Sequence, residues 1–444
     1  MRKLLSAVVV VLWALPSFAA TPSGVASPPL DMAGAVAIAL EKNGDIAALR
    51  EELAGSRSAA ELSGTLPNPV LELEGASGTM TKSPDEKSIG IALSQEIPLL
   101  PVGKRRKELA RAEVAVMLAR LHDHERGVTE QVQRAWLDAA LAARRMELAR
   151  EQQAVAADLL GMAQARFQAG DLSEREIQLA EIDLRRNDLR QAEVVAAAEG
   201  ALRRLALLLG LNGAAAELPP LADIPAPATD LPAEEDLLTA ALEHRPDLIA
   251  QRREGEREEA ALALAKAEAV PPVTVALSYR NERSSQNTYE LDGGLLVPGT
   301  EQANDRILGV KLSMPLPLFS RNQAESARAG ARASAARKRL EGGRHTVAAE
   351  VRDLLAQYRL ALTALALHRT ALGPVARDNF KIQQEAFALG EIGMQQLLYD
   401  TQRFGEQQEA ELTALQAAIE ARSRLESAAG LGSKGNTAST GGGQ

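Results

Sequence analysis

The residues that could do chemistry in this chain gather in a few places. Two Phe-x-x-Gly sequences, Phe167 to Gly170 and Phe387 to Gly390, are each followed by carboxylates and amides. These are Asp171, Glu174 and Glu176 in one case, and Glu391, Gln395, Gln396 and Asp400 in the other. Repeated in a ring, such carboxylates would focus the field and favour cations at a closed entrance. Taken singly, they would complement a helix dipole on an ordinary solvated face. Lys104-Arg105-Arg106-Lys107 is a compact basic run, suited to anionic lipid phosphates or simply to a solvated helix start. Metal chemistry has little to work with. His122 and His124 at i and i+2 on a helix do not face each other, and His244, His345 and His368 are scattered. Cysteine is absent, which excludes disulfides, thiolate ligands and a lipidated N-terminal cysteine. No nucleophile motif, phosphate loop or catalytic dyad occurs, so neither an enzyme nor a cofactor is expected.

The elements that must position these groups are long helices. Between Lys104 and about Gln168, apolar or small residues recur at alternating steps of four and three: Val128, Val132, Ala135, Ala139, Ala142, Met146, Ala149, Ala156, Leu160, Ala163 and Phe167. Only Gln153 interrupts that seam, and no proline occurs between Pro101 and Pro219. The spacing is a heptad signature, and some 65 residues at 1.5 Å each make a rod of roughly 95 Å. Gly170 permits a reversal, and a second amphipathic run returns through Ile177, Ala180, Leu184, Val194, Ala198, Ala201, Leu205 and Leu208. The pattern predicts a long antiparallel helical hairpin.

The pattern occurs twice. Gly90, Leu93, Ser94 and Pro98 fall on Gly309, Leu312, Ser313 and Pro317, the two Phe-x-x-Gly turns fall on each other, and Gly210-Leu211 falls on Gly430-Leu431. The second seam runs through Val347, Val351, Leu354, Tyr358, Ala361, Leu365, Leu372, Val375, Ile382, Ala386 and Leu389, with Pro374 expected to kink it. The expected layout is a signal peptide over 1–20, a first repeat over 21–211, a linker over 212–236, a second repeat over 237–431 and a disordered tail over 432–444. Arg2, Lys3, the apolar run Leu4 to Leu15 and the small residues to Ala20 carry the signal-peptide reading. An uncleaved anchor is the competing reading, and the run is short for it. The long helices are expected over about 103–168, 173–210, 322–388 and 393–430. A net charge of −9 argues against nucleic acid, and 3% aromatic content with abundant alanine suits closely packed helices.

Each repeat also carries two stretches of period-two alternation, read as strands over about 70–77, 88–97, 273–283 and 307–316. Leu71 and Leu73 alternate with Glu72 and Glu74; Leu277 and Tyr279 with Arg280; Val310 and Leu312 with Lys311. An insertion of about 17 residues, between Ser284 and Arg306, is expected as a longer loop in the second hairpin. One apolar and one polar face is what a lipid-facing, water-lined barrel strand needs, and it places Glu72, Glu74, Arg280 and Lys311 on the water side. Four strands cannot close a membrane barrel, whose minimum is about eight, so several copies would have to contribute. A soluble sheet capping a coiled-coil protein is the other reading of the same alternation.

Leu66-Pro67-Asn68-Pro69 before a strand, Ser94-Gln95-Glu96-Ile97-Pro98 and Gly103-Lys104-Arg105 after the next, and the two Phe-x-x-Gly turns resemble the TolC-type outer-membrane efflux proteins. The resemblance spans nearly the whole chain beyond residue 20 and looks most like the heavy-metal (Czc/Cus-type) branch. It implies a mostly α chain with a small β part, tandem helical hairpins forming a periplasmic tunnel, and a homotrimer whose strands close one outer-membrane barrel. It also implies docking to a periplasmic adaptor and an inner-membrane proton-driven (RND) pump, through tip residues such as Phe167, Ala169, Gly170, Phe387, Leu389 and Gly390. The family often has an aspartate nine residues after the tip glycine. Here Leu179 and Tyr399 stand there, and Asp400 follows one place later.

Overall fold

A computed structural model describes residues 28–81, 86–211, 218–230, 232–292 and 295–431. The signal peptide and tail expected from the sequence lie outside these residues. The first repeat is α1 (Met32–Lys42), α2 (Gly44–Leu62), β1 (Val70–Ser77), β2 (Lys87–Ile97), α3 (Val102–Gln168) and α4 (Glu174–Leu208). The second is α5 (Glu234–His244), α6 (Pro246–Ala267), β3 (Val273–Asp292), β4 (Leu295–Ser313), α7 (Gln323–Leu367), α8 (Gly373–Ala388) and α9 (Met394–Ala428). Local chemistry sets the boundaries. Asp31 caps α1 by accepting from the Gly34 N–H at 2.7 Å, and Asn43 caps α2 by accepting from the Ile46 N–H at 2.9 Å. The glycines with positive φ are Gly170, Gly210, Gly390 and Gly430, at 83°, 72°, 82° and 68°. They end α3, α4, α8 and α9, so the duplication is written in the backbone at every helix reversal.

The strands form one antiparallel sheet in the order β1-β2-β3-β4. Its register aligns whole rows across the four strands. Leu71, Leu93, Leu277 and Val310 share one row, and Leu73, Ile91, Tyr279 and Leu308 another. Both rows lie on one face, because side chains alternate along each strand and directly paired residues point the same way. The β3–β4 hairpin differs from expectation. Its ladder continues through Ser284↔Ala303 to Asp292↔Leu295, so the inserted segment is paired strand rather than loop. Alternation found only the stretch with the long apolar face; the polar run Asn281 to Thr288 separates it from the few apolar residues near the turn, Tyr289, Leu291 and Leu295 to Val297.

Three clusters of buried residues make the core. One joins α1, α2, α3, α4, α7 and α9 around Trp136, Leu141 and Leu205; one joins α5, α6, α7 and α9 around Val351 and Leu355; one fills the tips around Leu159, Phe387 and Leu397. The linker straps the repeats together. Leu30 bridges Leu221 in parallel, with Leu30 N–H to the Pro220 carbonyl at 2.7 Å and Ala222 N–H to the Leu30 carbonyl at 3.0 Å. Buried Trp136 donates its indole N–H to Leu30 at 2.9 Å, and the Tyr358 hydroxyl donates to the Ala228 carbonyl at 2.6 Å. α3 runs 67 residues without a break, about 100 Å. Its counterpart, expected as one helix over 322–388, is interrupted by a π-turn at His368–Leu372 just ahead of Pro374. A proline has no N–H to offer the carbonyl four residues back, and the wider turn absorbs that loss.

Candidate functional site

The sheet presents its apolar rows to the surroundings: Leu73 and Val310 are each 77% exposed, and Leu71, Ile89, Leu308 and Leu312 lie open beside them. Exposed apolar area of this extent requires a covering apolar phase. From Ile89 to Ile97 the band is nine residues tall, about 27 Å along the strand. The register puts Glu72, Glu74, Arg280 and Lys311 together on the opposite face. There Arg280 pairs with Glu74 at 3.1 Å, reaching over Gly90, which stands between them in the row. β1 and β4 are the sheet's outer strands, each paired on one side only among the described residues.

Below the sheet, the basic run is largely engaged within the chain. Arg105 pairs with Glu108 at 2.7 Å, Arg106 with Glu268 at 3.0 Å, and Lys107 with Glu61 at 2.8 Å. The Lys107 hydrogen bond holds the Glu61 carboxyl below the usual carboxylate range. Lys104 has no ion pair among the described residues. The motif residues around the run serve close packing. A Cβ on Gly103 would meet the Gly64 carbonyl oxygen at 2.7 Å, so glycine lets α3 start against the end of α2. Gln95 donates to the Pro67 carbonyl at 2.9 Å and ties β2 to the loop before β1.

At the far end of the rods the two turns lie together. Arg166 donates to the Phe387 carbonyl at 2.8 Å, and its guanidinium carbon sits 4.8 Å from the centre of the Phe387 ring. Phe387 is fully buried with Met394 and Leu397, whereas Phe167 is 44% exposed. Glu176 accepts from the Ser173 N–H at 3.1 Å and the Ser173 hydroxyl at 2.9 Å, and from the Met394 N–H of the other turn at 3.4 Å. The Ser173 bonds, with help from Met394 and the charge of Arg166, hold the Glu176 carboxyl below the usual range. Of the carboxylates read as one entrance group, Asp171, Glu174 and Glu391 are exposed. Asp400 is only 8% exposed and accepts from Gln396 at 2.7 Å. Ala169, Gly170, Leu389, Gly390 and Gln395 are exposed at the tips. The sequence reading missed Arg166, whose partner lies 221 residues away. Higher up, burial pushes the Asp138 and Asp183 carboxyls up. No group of three or more His, Cys, Asp or Glu side chains that could hold a metal ion occurs among the described residues. No described helix is long and apolar enough to cross a membrane.

The chain matches the family described as "Outer membrane efflux protein" over residues 35–211 and 237–431, one match per repeat. It is 24% identical over 388 residues to the cobalt-zinc-cadmium resistance protein CzcC of Cupriavidus metallidurans, covering 85% of this chain and 84% of that one. Its fold is that of a membrane protein from Pseudomonas aeruginosa, with a TM-score of 0.71, 19% identity, and 90% and 93% of the two chains covered. CusC gives a TM-score of 0.72 at 17% identity with 90% and 92% covered, and the outer-membrane channel OprN 0.72 at 18% with 90% and 89%. Channels of the TolC family trimerise and partner with the other components of tripartite efflux systems. The exposed apolar band, the polar face behind it and the paired helical hairpins therefore have one explanation: the chain belongs to the TolC-type outer membrane efflux proteins, an outer-membrane channel of tripartite efflux systems that extends into the periplasm, and not an enzyme.

Proposed function

We propose that this chain is the exit duct of a heavy-metal cation exporter, working as a homotrimer docked to a periplasmic adaptor and an inner-membrane RND pump. The similarity to the cobalt-zinc-cadmium resistance protein over 85% of the chain is the observation that supports this cargo. Three copies of the four-stranded sheet would close a twelve-stranded barrel, with the apolar rows toward lipid and the Glu74–Arg280 face toward water. The duct is passive. Energy and selection belong to the pump, and the exposed tip carboxylates Asp171, Glu174 and Glu391 would draw cations into the entrance. The exposed tip residues Ala169, Gly170, Leu389 and Gly390 would meet the adaptor.

Two measurements test the reading. Purified protein in planar bilayers should give discrete, cation-preferring conductance. Deleting the gene in its host should raise cellular zinc, cobalt or cadmium and lower tolerance to them. Sensitivity to drugs with unchanged metal content would transfer the channel to drug efflux; loss of an exported protein would transfer it to secretion.

A further inference from the structure

The outward face of the sheet does not end with its apolar rows. Along each strand, every second side chain returns to that face. Beyond the row of Leu73, Ile91, Tyr279 and Leu308 comes Gly75, Ile89, Asn281 and Arg306, and beyond that Ser77, Lys87, Arg283 and Asn304. Three cations therefore stand in two neighbouring rows, about 7 and 14 Å past the last row of large apolar side chains. All three are exposed. The strands meet the helices at Val70, Ile97, Val273 and Ser313. The cations mark the opposite rim, the one turned away from the periplasm.

Charge is sorted between the two faces at this level. The intervening row, Ala76, Ser88, Glu282 and Asp305, points to the water side and holds the carboxylates. Neither outward row contains one. Lys87 is paired directly with Arg283, and Arg306 is the diagonal neighbour of Arg283, which puts the three Cβ atoms within about 5 and 8 Å of one another. Like charges directly opposite destabilise a sheet. Other cations near the sheet are neutralised inside the chain: Arg280 by Glu74, Arg106 by Glu268 and Lys107 by Glu61. Lys87, Arg283 and Arg306 have no ion pair among the described residues, and Glu86, next to Lys87 in sequence, forms none with it.

An uncompensated cation cluster at the edge of a lipid-covered band stands at the level of lipid phosphates. Arginine offers a planar fork that fits phosphate oxygens, and lysine a point charge. Ser77, Asn281 and Asn304 add neutral donors in the same rows. A bound phosphate would also relieve the repulsion between Lys87 and Arg283. We propose that Lys87, Arg283 and Arg306 hold a phosphate of a phosphorylated glycolipid in the outer leaflet, one site per copy. The proposal rests on the reading that the apolar rows face lipid.

Native mass spectrometry of the full-length protein in a neutral detergent tests it, with diphosphoryl lipid A or dephosphorylated lipid A added. The phosphorylated form should be retained at least tenfold more tightly. Arg283→Glu should weaken that retention at least tenfold. In lipid-free detergent the same change should raise the thermal midpoint, because it sets a carboxylate opposite Lys87; this separates loss of the site from misfolding. Arg280→Gln, on the water face, should leave retention as it is.

Equal retention of the two lipid forms, or undiminished retention by Arg283→Glu, overturns the proposal. So does a loss with Arg280→Gln as large as with Arg283→Glu, or a lowered midpoint in Arg283→Glu, which would make the cluster structural. Because the chain has no cysteine, Leu308→Cys carrying a fluorophore reports on the apolar rows separately. Quenching of that label by brominated acyl chains, without a preference for the phosphorylated lipid, overturns this site and leaves the barrel intact. No quenching overturns the barrel reading and the site with it.

Discussion

The two hairpins carry one pattern and end in the same Phe-x-x-Gly turn, yet only one of them is self-sufficient. α3 is unbroken, whereas its counterpart passes through a π-turn into α8. Phe167 is half open to solvent, whereas Phe387 is buried beneath Arg166. The position equivalent to Arg166 is Ala386, so nothing returns the contact. Glu176 braces both turns; its equivalent, Gln396, is turned instead toward Asp400 in its own helix. The difference teaches that the second tip is ordered by the first. An entrance built this way can loosen in one hairpin while the other keeps its shape.

The largest effect should come from exchanging the two phenylalanines for alanine. Phe387→Ala empties a fully buried site and should cost about 3–5 kcal/mol, seen as faster amide exchange in both turns. Phe167→Ala, at an exposed site, should cost less than about 1 kcal/mol. Equal effects would mean that the tips are held by something other than this asymmetric core.

Glycines give the next contrast. Gly161 in α3 has nothing within 4 Å of a would-be Cβ, so Gly161→Ala should stabilise by about 0.5–1 kcal/mol. Gly373→Ala drives a methyl into the His368 carbonyl and should destabilise by about 1–3 kcal/mol in thermal unfolding. A stabilising Gly373→Ala would show that the wide turn reverts to α-helix at no cost. Arg166→Ala removes a charged hydrogen bond and a ring contact across the tips, for about 1–2 kcal/mol. Arg166→Lys should recover part of it, because ammonium keeps the charge and loses the planar stacking.

What the sequence disclosed about these regions follows from the range of the forces involved. The rods, their reversals and the two rows of strand leucines rest on periods of 3.5 and 2, which a local stretch displays in full. The β3–β4 extension was hidden because the polar run Asn281 to Thr288 separates its few apolar residues from the alternating stretch. The basic run's partners Glu61 and Glu268, the Leu30–Leu221 strap and the Arg166–Phe387 contact join distant residues, and no local pattern encodes them. Periodicity also identified Val375, Ile382 and Leu389 as a seam without revealing that the chain itself leaves them uncovered. A heptad states that a helix will be packed; the fold decides by which neighbour.

The smallest effect is a pH dependence confined to one tip. The Glu176 carboxyl is held below the usual range by Ser173, with Met394 and Arg166 contributing. A depressed folded pKa means that the brace is fully present above the ordinary carboxylate value near ~4.3 and is lost as pH falls through the lower, folded value. Methyl-labelled methionine NMR would follow it at Met394, which is buried in the tip core. The Met394 signal should shift only below the titration of exposed glutamates, and Glu176→Gln should abolish the shift, its one amide oxygen keeping either the Ser173 donors or the Met394 N–H. The converse change should not build a second brace. Gln396→Glu places a carboxyl against Asp400, which now lies 2.7 Å from the amide nitrogen, and two like charges at that range raise the pKa of one of them. The second tip would then acquire a transition above the usual carboxylate range, opposite in direction to the first, because its stability falls as the pair ionises. A Met394 shift that moves the same way in both variants would erase the distinction between the tips.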